Sequence, residues 1–170
     1  MKHLEIEMKT LLNKDEYQRL QDHFSGVTPI TQKNYYLDTP DFYLRQHKIA
    51  MRIRTFENIA ELTIKIPQNV GNMEYNQDLS LDEANHCLKE CKLPQGMILD
   101  ELTSRGLSTS GWVVLGCLTT VRYEKQTPIG LMALDQSQYF DIVDYELELE
   151  VEDGNQGSLD FQEFLQANVI

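Results

Sequence analysis

The sequence lacks any apolar run that approaches the length of a membrane-spanning helix, and four of its first ten residues (Lys2, Glu5, Glu7 and Lys9) are charged. A bilayer span needs about 20 predominantly apolar residues, and a signal peptide needs an apolar core near the N-terminus. We therefore expect neither in this chain. Cysteine is also scarce, and Cys87, Cys91 and Cys117 form an odd set without the spacing of a metal site. We expect reduced thiols in a cytoplasmic protein.

Basic residues are few: 15 Lys and Arg stand against 27 Asp and Glu, which gives a net charge of -12. This balance argues against duplex nucleic acid or a membrane surface as the partner. Any anionic ligand must meet basic residues that are concentrated locally. The sequence has no internal repeat, low-complexity tract or linker, so residues 1–170 are predicted to form a single domain with a sizeable core. We expect a monomer or a homodimer.

The N-terminal stretch His3–Lys9 alternates apolar and charged residues, which is the period of a β-strand. In a strand, side chains two positions apart share one face. The pattern therefore places Glu5, Glu7 and Lys9 on one face and apolar residues on the other.

A second alternating stretch, Asp144–Asp153, reads DYELELEVED. It places Glu146, Glu148, Glu150 and Glu152 on one strand face, where neighbours lie roughly 7 Å apart. At that range two carboxylates repel by about a few tenths of a kcal/mol in water, and by more where the dielectric is lower. A row of four acids therefore favours a cation opposite it, which metal ions or basic strands would supply.

Periodicity and turn residues predict eight strands with short connections, apart from one helical insertion at residues 81–106. Asn13 with Glu16 and Ser80 with Glu83 are capping boxes, and Ser158 is predicted to cap a final helix after a loop. Short connections favour antiparallel pairing, and eight antiparallel strands can close into a barrel. The predicted fold is α+β and mainly antiparallel. The predicted strands span residues 3–12, 32–38, 48–57, 60–67, 72–80, 111–126, 130–136 and 141–153.

The polar strand faces separate by sign along the chain. Acids occupy the first and last strands, whereas Arg52, Arg54, Lys65 and Arg122 lie on the strands between them. If helices cover the apolar faces, a closed barrel has a charged interior, which is costly unless its groups are paired or bind ions. Guanidinium and ammonium groups suit phosphate oxygens, and carboxylates suit Mg²⁺ or Mn²⁺. The alternative is an open sheet with its charges in water, which composition alone favours.

Several motifs follow one another in a specific order. Glu5-x-Glu7-x-Lys9 alone is a weak signal, but more motifs come after it. They are Tyr35–Pro40 (YYLDTP), Arg52-x-Arg54, Leu62–Lys65, Glu74, Arg122, Asp135 and Glu146-x-Glu148. In this order, and over essentially its whole length, the chain resembles the CYTH superfamily of triphosphate tunnel metalloenzymes, and in particular its stand-alone bacterial members.

The resemblance implies an eight-stranded antiparallel tunnel with helices outside, and it implies roles for individual residues. The carboxylates would bind Mg²⁺ or Mn²⁺, with the repeated ELELE leaving open which of them do so. The basic residues would hold phosphate oxygens, and Asp135 would orient one of them. The implied metal ligands are Glu5, Glu7, Glu146, Glu148 and Glu150; the implied phosphate-site residues are Lys9, Arg52, Arg54, Lys65, Arg122 and Asp135; the implied catalytic residues are Glu5, Glu7, Lys9 and Glu148.

The resemblance also implies a function, metal-dependent hydrolysis of a small-molecule triphosphate such as tripolyphosphate, thiamine triphosphate or a nucleotide. Two alternatives stay open: a non-catalytic polyphosphate- or nucleotide-binding module, and an adenylate cyclase of the class IV type. Related chains often continue past the last helix with a basic segment that returns toward the tunnel. This chain ends in ANVI at Ile170, so we expect that segment to be missing.

Overall fold

The alternating segments form eight β-strands in the computed structural model, which describes residues 1–170. They make one closed antiparallel barrel in the order β1-β5-β4-β3-β2-β6-β7-β8. This confirms the predicted barrel and excludes the open sheet. The strands are β1 (Lys2–Leu12), β2 (Ile30–Asp38), β3 (Ala50–Thr55), β4 (Ala60–Pro67), β5 (Asn72–Leu79), β6 (Val113–Thr127), β7 (Gly130–Tyr139) and β8 (Ile142–Val151).

Five helices pack on the outside of the barrel, against the apolar faces of the strands. The first is extended by a short 3₁₀ turn at Gln21–Phe24. None of them combines the length and the apolar character that crossing a membrane requires. The helices are α1 (Lys14–Leu20), α2 (Tyr43–Gln46), α3 (Leu81–Glu90), α4 (Met97–Ser104) and α5 (Gly154–Ala167).

Both predicted capping boxes are confirmed. The Asn13 side chain accepts a hydrogen bond from the Glu16 backbone N–H at 2.8 Å, and the Glu16 carboxylate accepts one from the Asn13 N–H at 2.8 Å. Ser80 and Glu83 make the same reciprocal pair at 3.0 Å. Each box satisfies two backbone groups that a helix start would otherwise leave without partners, which fixes where α1 and α3 begin.

The start of α5 corrects the prediction. Ser158 is not the cap: the helix begins at Gly154, and the Asp153 carboxylate accepts from the backbone N–H groups of Asn155 and Gln156 at 2.9 and 3.0 Å. An aspartate at this position also stabilises the positive end of the helix dipole. Strand β8 therefore ends at Val151, and the fourth acid of the predicted row, Glu152, lies beyond the strand.

The contacts divide the chain into two compact units. The first comprises residues 1–4 and 32–118. In it, the side chains of Ile53, Leu62 and Ile64 are fully buried against α3 and α4, which contribute Cys87 and Leu102 among others. The alternate residues of the same strands are polar. Because the helices lie outside the barrel, these polar residues occupy its inner face.

The second unit comprises residues 5–31 and 119–170. Leu134, Leu147 and Leu149 on β7 and β8 are fully buried, and they pack with Leu20 of α1 and Phe161 of α5. The alternate residues of β7 and β8 are again polar and face away from the helices. That the whole chain is a single domain stays a prediction.

Candidate functional site

An acidic cluster lies on the inner face of the second unit. The register of β7 and β8 sets Asp135 opposite Glu146 and Ala133 opposite Glu148. One carboxylate oxygen from each of Asp135, Glu146 and Glu148 lies within 4.8 Å of the others. The small Ala133 side chain beside Glu148 leaves room for these carboxylates to approach one another. Three acids that are buried or half-buried at this separation repel strongly unless cations compensate them.

One compensating cation is Arg122 of β6, which stands directly opposite Asp135. Its Nε and Nη2 donate to the two oxygens of Asp135 at 2.8 and 2.7 Å, and Nη2 also donates to Glu148 at 2.9 Å. Burial alone would lower the Arg122 pKa, but the hydrogen bonds and charge of Asp135, together with the charge of Glu148, raise it above its usual value. Asp135 thus holds the Arg122 guanidinium through two hydrogen bonds.

Glu146 remains incompletely compensated. Burial, followed by the hydrogen bond and charge of Glu148, raises the pKa of Glu146 to about 7, although Lys9 opposes the shift. Both oxygens of Asp135 already accept from Arg122. The carboxylates of Glu146 and Glu148 are therefore the donors in this cluster best suited to a hard divalent cation, and an all-oxygen set is what Mg²⁺ or Mn²⁺ prefers.

Strand β1 adds its charged residues to the same face. Its register with β8 pairs Lys9 with Glu148 and Glu7 with Glu150. The Lys9 ammonium lies 4.0 Å from a Glu7 oxygen, and Glu5 is buried on the same face of β1. The structure thus brings all the predicted residues of β1, β6, β7 and β8 onto one sheet surface. Glu150 is not a member of the three-carboxylate cluster.

The first unit presents the remaining basic residues on its inner face. Lys65 of β4 lies 3.5 Å from the Glu74 carboxylate on β5. Glu74 in turn accepts from the Asn76 amide at 2.9 Å, and Asn76 accepts from the Thr63 hydroxyl at 2.6 Å. This chain of hydrogen bonds is directional: it requires Glu74 to be an acceptor, and it holds the carboxylate beside the Lys65 ammonium.

The two arginines of β3 have different surroundings. Arg54 Nε donates to the Asn34 side-chain oxygen at 2.6 Å, and its Nη1 lies 3.8 Å from Glu61. The Nε of Arg52 is buried and has no hydrogen-bond partner. A buried donor of this kind is unfavourable, and an anion bound beside Arg52 would satisfy it.

The family comparison agrees with this geometry. The model of the CYTH domain matches residues 3–170. The chain belongs to the CYTH domain family. This CYTH chain is 36% identical over 165 residues to the Bacillus subtilis protein named "Putative triphosphatase YjbK". The matched residues make up 96% of this chain and 85% of that protein.

Solved structures of CYTH-like proteins share the fold. A Bacillus halodurans protein, described as "a putative adenylate cyclase", is 37% identical, with a TM-score of 0.92 over 99% of this chain and 91% of its own. A Hippeastrum protein is 22% identical, with a TM-score of 0.83 over 98% of this chain and 89% of its own. At that identity, the Hippeastrum protein supports the fold alone.

Sequence reasoning missed several inner-face residues of this CYTH chain. Asn34, Glu61, Thr63 and Asn76 contact the predicted basic and acidic groups but were not predicted as part of the site. The signal that could have found them is strand parity: Asn34 has the parity of Tyr36, which lies opposite Arg52. Parity assigns a face, but it does not say which polar neighbours form hydrogen bonds.

Proposed function

We propose that this chain is a metal-dependent phosphohydrolase that binds a triphosphate on the inner face of its barrel. The observation that carries the proposal is the cluster of Asp135, Glu146 and Glu148, whose mutual repulsion favours binding of a divalent cation. The relative named as a triphosphatase supports the choice of reaction. A triphosphate carries several negative charges, which a carboxylate-bound metal and basic residues can compensate together.

In this proposal Glu146 and Glu148 hold Mg²⁺ or Mn²⁺, with Glu5 and Glu7 as further candidate ligands. A bound divalent cation would neutralise charge on the phosphate oxygens. Glu148 also touches Arg122, so its carboxylate is fixed in place before substrate arrives. A carboxylate of this row orients or deprotonates the attacking water.

The basic residues position the phosphates. Arg52, Arg54 and Lys65 supply donors for phosphate oxygens, and Arg52 supports this role most directly because its buried Nε has no partner in the protein. Lys9 is the most exposed of the predicted cations, with 59% of its side chain accessible, and it can move to meet a ligand. In phosphoryl transfer, positioning and electrostatic stabilisation supply most of the acceleration.

The direct test is phosphate release from tripolyphosphate with Mg²⁺ or Mn²⁺. We expect hydrolysis by the wild-type chain and a fall in kcat of roughly a hundredfold or more in Glu148→Gln, since a charged ligand is replaced by a neutral amide. Glu152→Gln, which removes an acid outside β8, should leave the rate unchanged. Absence of metal-dependent phosphate release by the folded wild type would refute the proposal.

The same assay addresses the repeated ELELE sequence. Glu146, Glu148 and Glu150 lie on one face of β8, but only the first two belong to the three-carboxylate cluster. We therefore expect Glu146→Gln to weaken metal activation more than Glu150→Gln, measured as the Mn²⁺ concentration that gives half-maximal rate. The reverse order would indicate that the metal binds Glu148 and Glu150, two residues further along β8.

A second candidate function is the conversion of ATP to cyclic AMP, which is favoured by the description of the Bacillus halodurans relative. In that reaction the ribose 3′-hydroxyl attacks the α-phosphorus and pyrophosphate leaves. Hydrolysis instead yields ADP and phosphate. Chromatography of the products of ATP therefore separates the two, and we expect no cyclic AMP.

A further inference from the structure

Asn34 is a buried polar residue in the middle of β2, with 2% of its surface exposed. It stands directly opposite Arg54 of β3, and residues so paired have side chains on the same face. Its side-chain oxygen accepts a hydrogen bond of 2.6 Å from Arg54 Nε. Because an arginine Nε–H can only donate, the amide oxygen and not the amide nitrogen must face Arg54.

The second unit contains a pair with the same layout and a different charge. Asp135 and Arg122 are also direct cross-strand neighbours, and Arg122 Nε donates to Asp135 at 2.8 Å. There the acceptor is a carboxylate that takes a second guanidinium N–H and adds a negative charge. Asn34 takes only the Nε–H and adds no charge. In both pairs the cross-strand neighbour holds the arginine Nε, but Asp135 adds a negative charge beside Arg122, whereas Asn34 adds none to the charge of Glu61, which lies 3.8 Å from Arg54 Nη1.

We propose that Asn34 is a positioning residue that aims the Arg54 guanidinium at phosphate oxygens without neutralising it. This inference rests on the proposed triphosphate site and adds a residue to it. Holding Nε fixes the plane of the guanidinium and so the directions of both Nη groups. A guanidinium fixed in this way loses less entropy on binding than a mobile one, and a neutral Asn34 adds no second negative charge to that of Glu61 beside Arg54.

Asn34→Asp separates this role from a purely structural one. Aspartate is nearly isosteric with asparagine and accepts the same hydrogen bond. A structural role therefore predicts unchanged affinity and equal or higher stability in the variant. The proposed role predicts that stability is kept while tripolyphosphate binding weakens by roughly ten- to a hundredfold, the range of a charged hydrogen bond. Asn58→Asp, at an exposed position in the β3–β4 turn, makes the same charge change and should leave affinity unaltered.

The measurements are the Kd for tripolyphosphate with Mn²⁺ by titration calorimetry, KM and kcat for phosphate release, and urea unfolding. We expect KM to rise in Asn34→Asp much more than kcat falls. If Asn34→Asp does not fold, Asn34→Leu, which has the same number of side-chain heavy atoms and removes the acceptor, should raise KM roughly tenfold. Affinity equal to that of the wild type in the folded variant, whether Asp or Leu, would overturn the inference.

A double-mutant cycle shows whether Asn34 acts through Arg54. In an Arg54→Gln background, Asn34→Asp should change the Kd by less than about twofold, because the group that it neutralises is gone. An undiminished effect there would contradict the proposal. Lack of tripolyphosphate binding by the wild type would instead refute the proposed function itself, so the two failures are distinguishable.

Discussion

At the scale of single residues, sequence parity predicts which face a side chain occupies but not which partner it meets. The assignments of Arg52, Arg54 and Lys65 to one polar surface needed only alternation of residue types, and the structure places all three on the inner face of the barrel. Their partners could not be predicted, because Asn34 and Glu74 come from other strands. A hydrogen bond across strands depends on register, which a single sequence specifies poorly.

The Tyr35–Pro40 motif contains a buried acid, Asp38, whose carboxylate accepts hydrogen bonds from backbone N–H groups, which strand parity does not predict. Asp38 is 6% exposed. One of its oxygens accepts from the backbone N–H groups of Thr39 and Leu44 at 2.8 and 2.9 Å, and the other accepts from Arg45 at 3.1 Å. Asp38 thereby stabilises the start of α2 and the connection from β2 to β3, the strand that carries Arg52 and Arg54.

We therefore predict that Asp38→Ala lowers the free energy of unfolding by roughly 2–4 kcal/mol, because it leaves three backbone donors without their acceptor. Asp38→Asn retains one side-chain oxygen and should cost about 1 kcal/mol. Urea denaturation of the three proteins measures both values. An alanine variant within about 0.5 kcal/mol of the wild type would show that these hydrogen bonds are not what holds the connection.

At the scale of elements, prediction is accurate where one signal acts alone. Strand β4 spans residues 60–67 as predicted, because a strictly alternating stretch ends at a proline. The boundary between β8 and α5 was predicted wrongly, because Asp153 and Ser158 are both good N-caps. Two glycines, Gly154 and Gly157, also favour a loop by their low helix propensity. The packing of α5 against β8 favours Asp153 over Ser158 as the N-cap.

Gly157 is the residue at which α5 packs closely against β8. It lies inside α5, and a Cβ added there would come within 2.6 to 2.9 Å of the Val151 side chain at the end of β8. The absence of a side chain lets the helix approach the strand closely. The sequence carries a helix-breaking residue at this point because tertiary contact outweighs helix propensity.

We predict that Gly157→Ala destabilises the protein by about 1 kcal/mol, even though alanine favours a helix by about 1 kcal/mol over glycine. The expected overpacking against the β-branched Val151 exceeds the propensity gain. Ser158→Ala, at the next and exposed position of α5, tests propensity without overpacking and should be neutral or slightly stabilising. Thermal and urea unfolding would measure both variants; a more stable Gly157→Ala would show that α5 can move away from β8.

At the scale of the whole molecule, the net charge argues against anion binding, whereas the local distribution of charge favours it. A net charge of -12 repels anions at long range, yet Arg52, Arg54 and Lys65 share one inner face. In the proposed function, an anion would therefore be bound by this local group and by a divalent cation that offsets the acids of β8. A ligand recognised in this way binds the folded chain only, since the unfolded chain does not hold these charges together.

Binding to the native state alone should raise the thermal unfolding temperature. At a tripolyphosphate concentration about 100 times its Kd, with Mn²⁺ present, the stabilisation is about 2.7 kcal/mol, which corresponds to a rise in Tm of roughly 5–10 °C for a chain of this size. Sulfate at equal ionic strength controls for general salt stabilisation. Arg52→Gln should lose most of the shift relative to its own ligand-free Tm, because the buried Nε that lacks a partner is gone. Lys89→Gln, at an exposed position of α3, removes one positive charge elsewhere and should keep the shift. Equal shifts in the two variants would mean that the ligand binds without Arg52. The lack of a hydrogen-bond partner for the Arg52 Nε would then be unrelated to ligand binding.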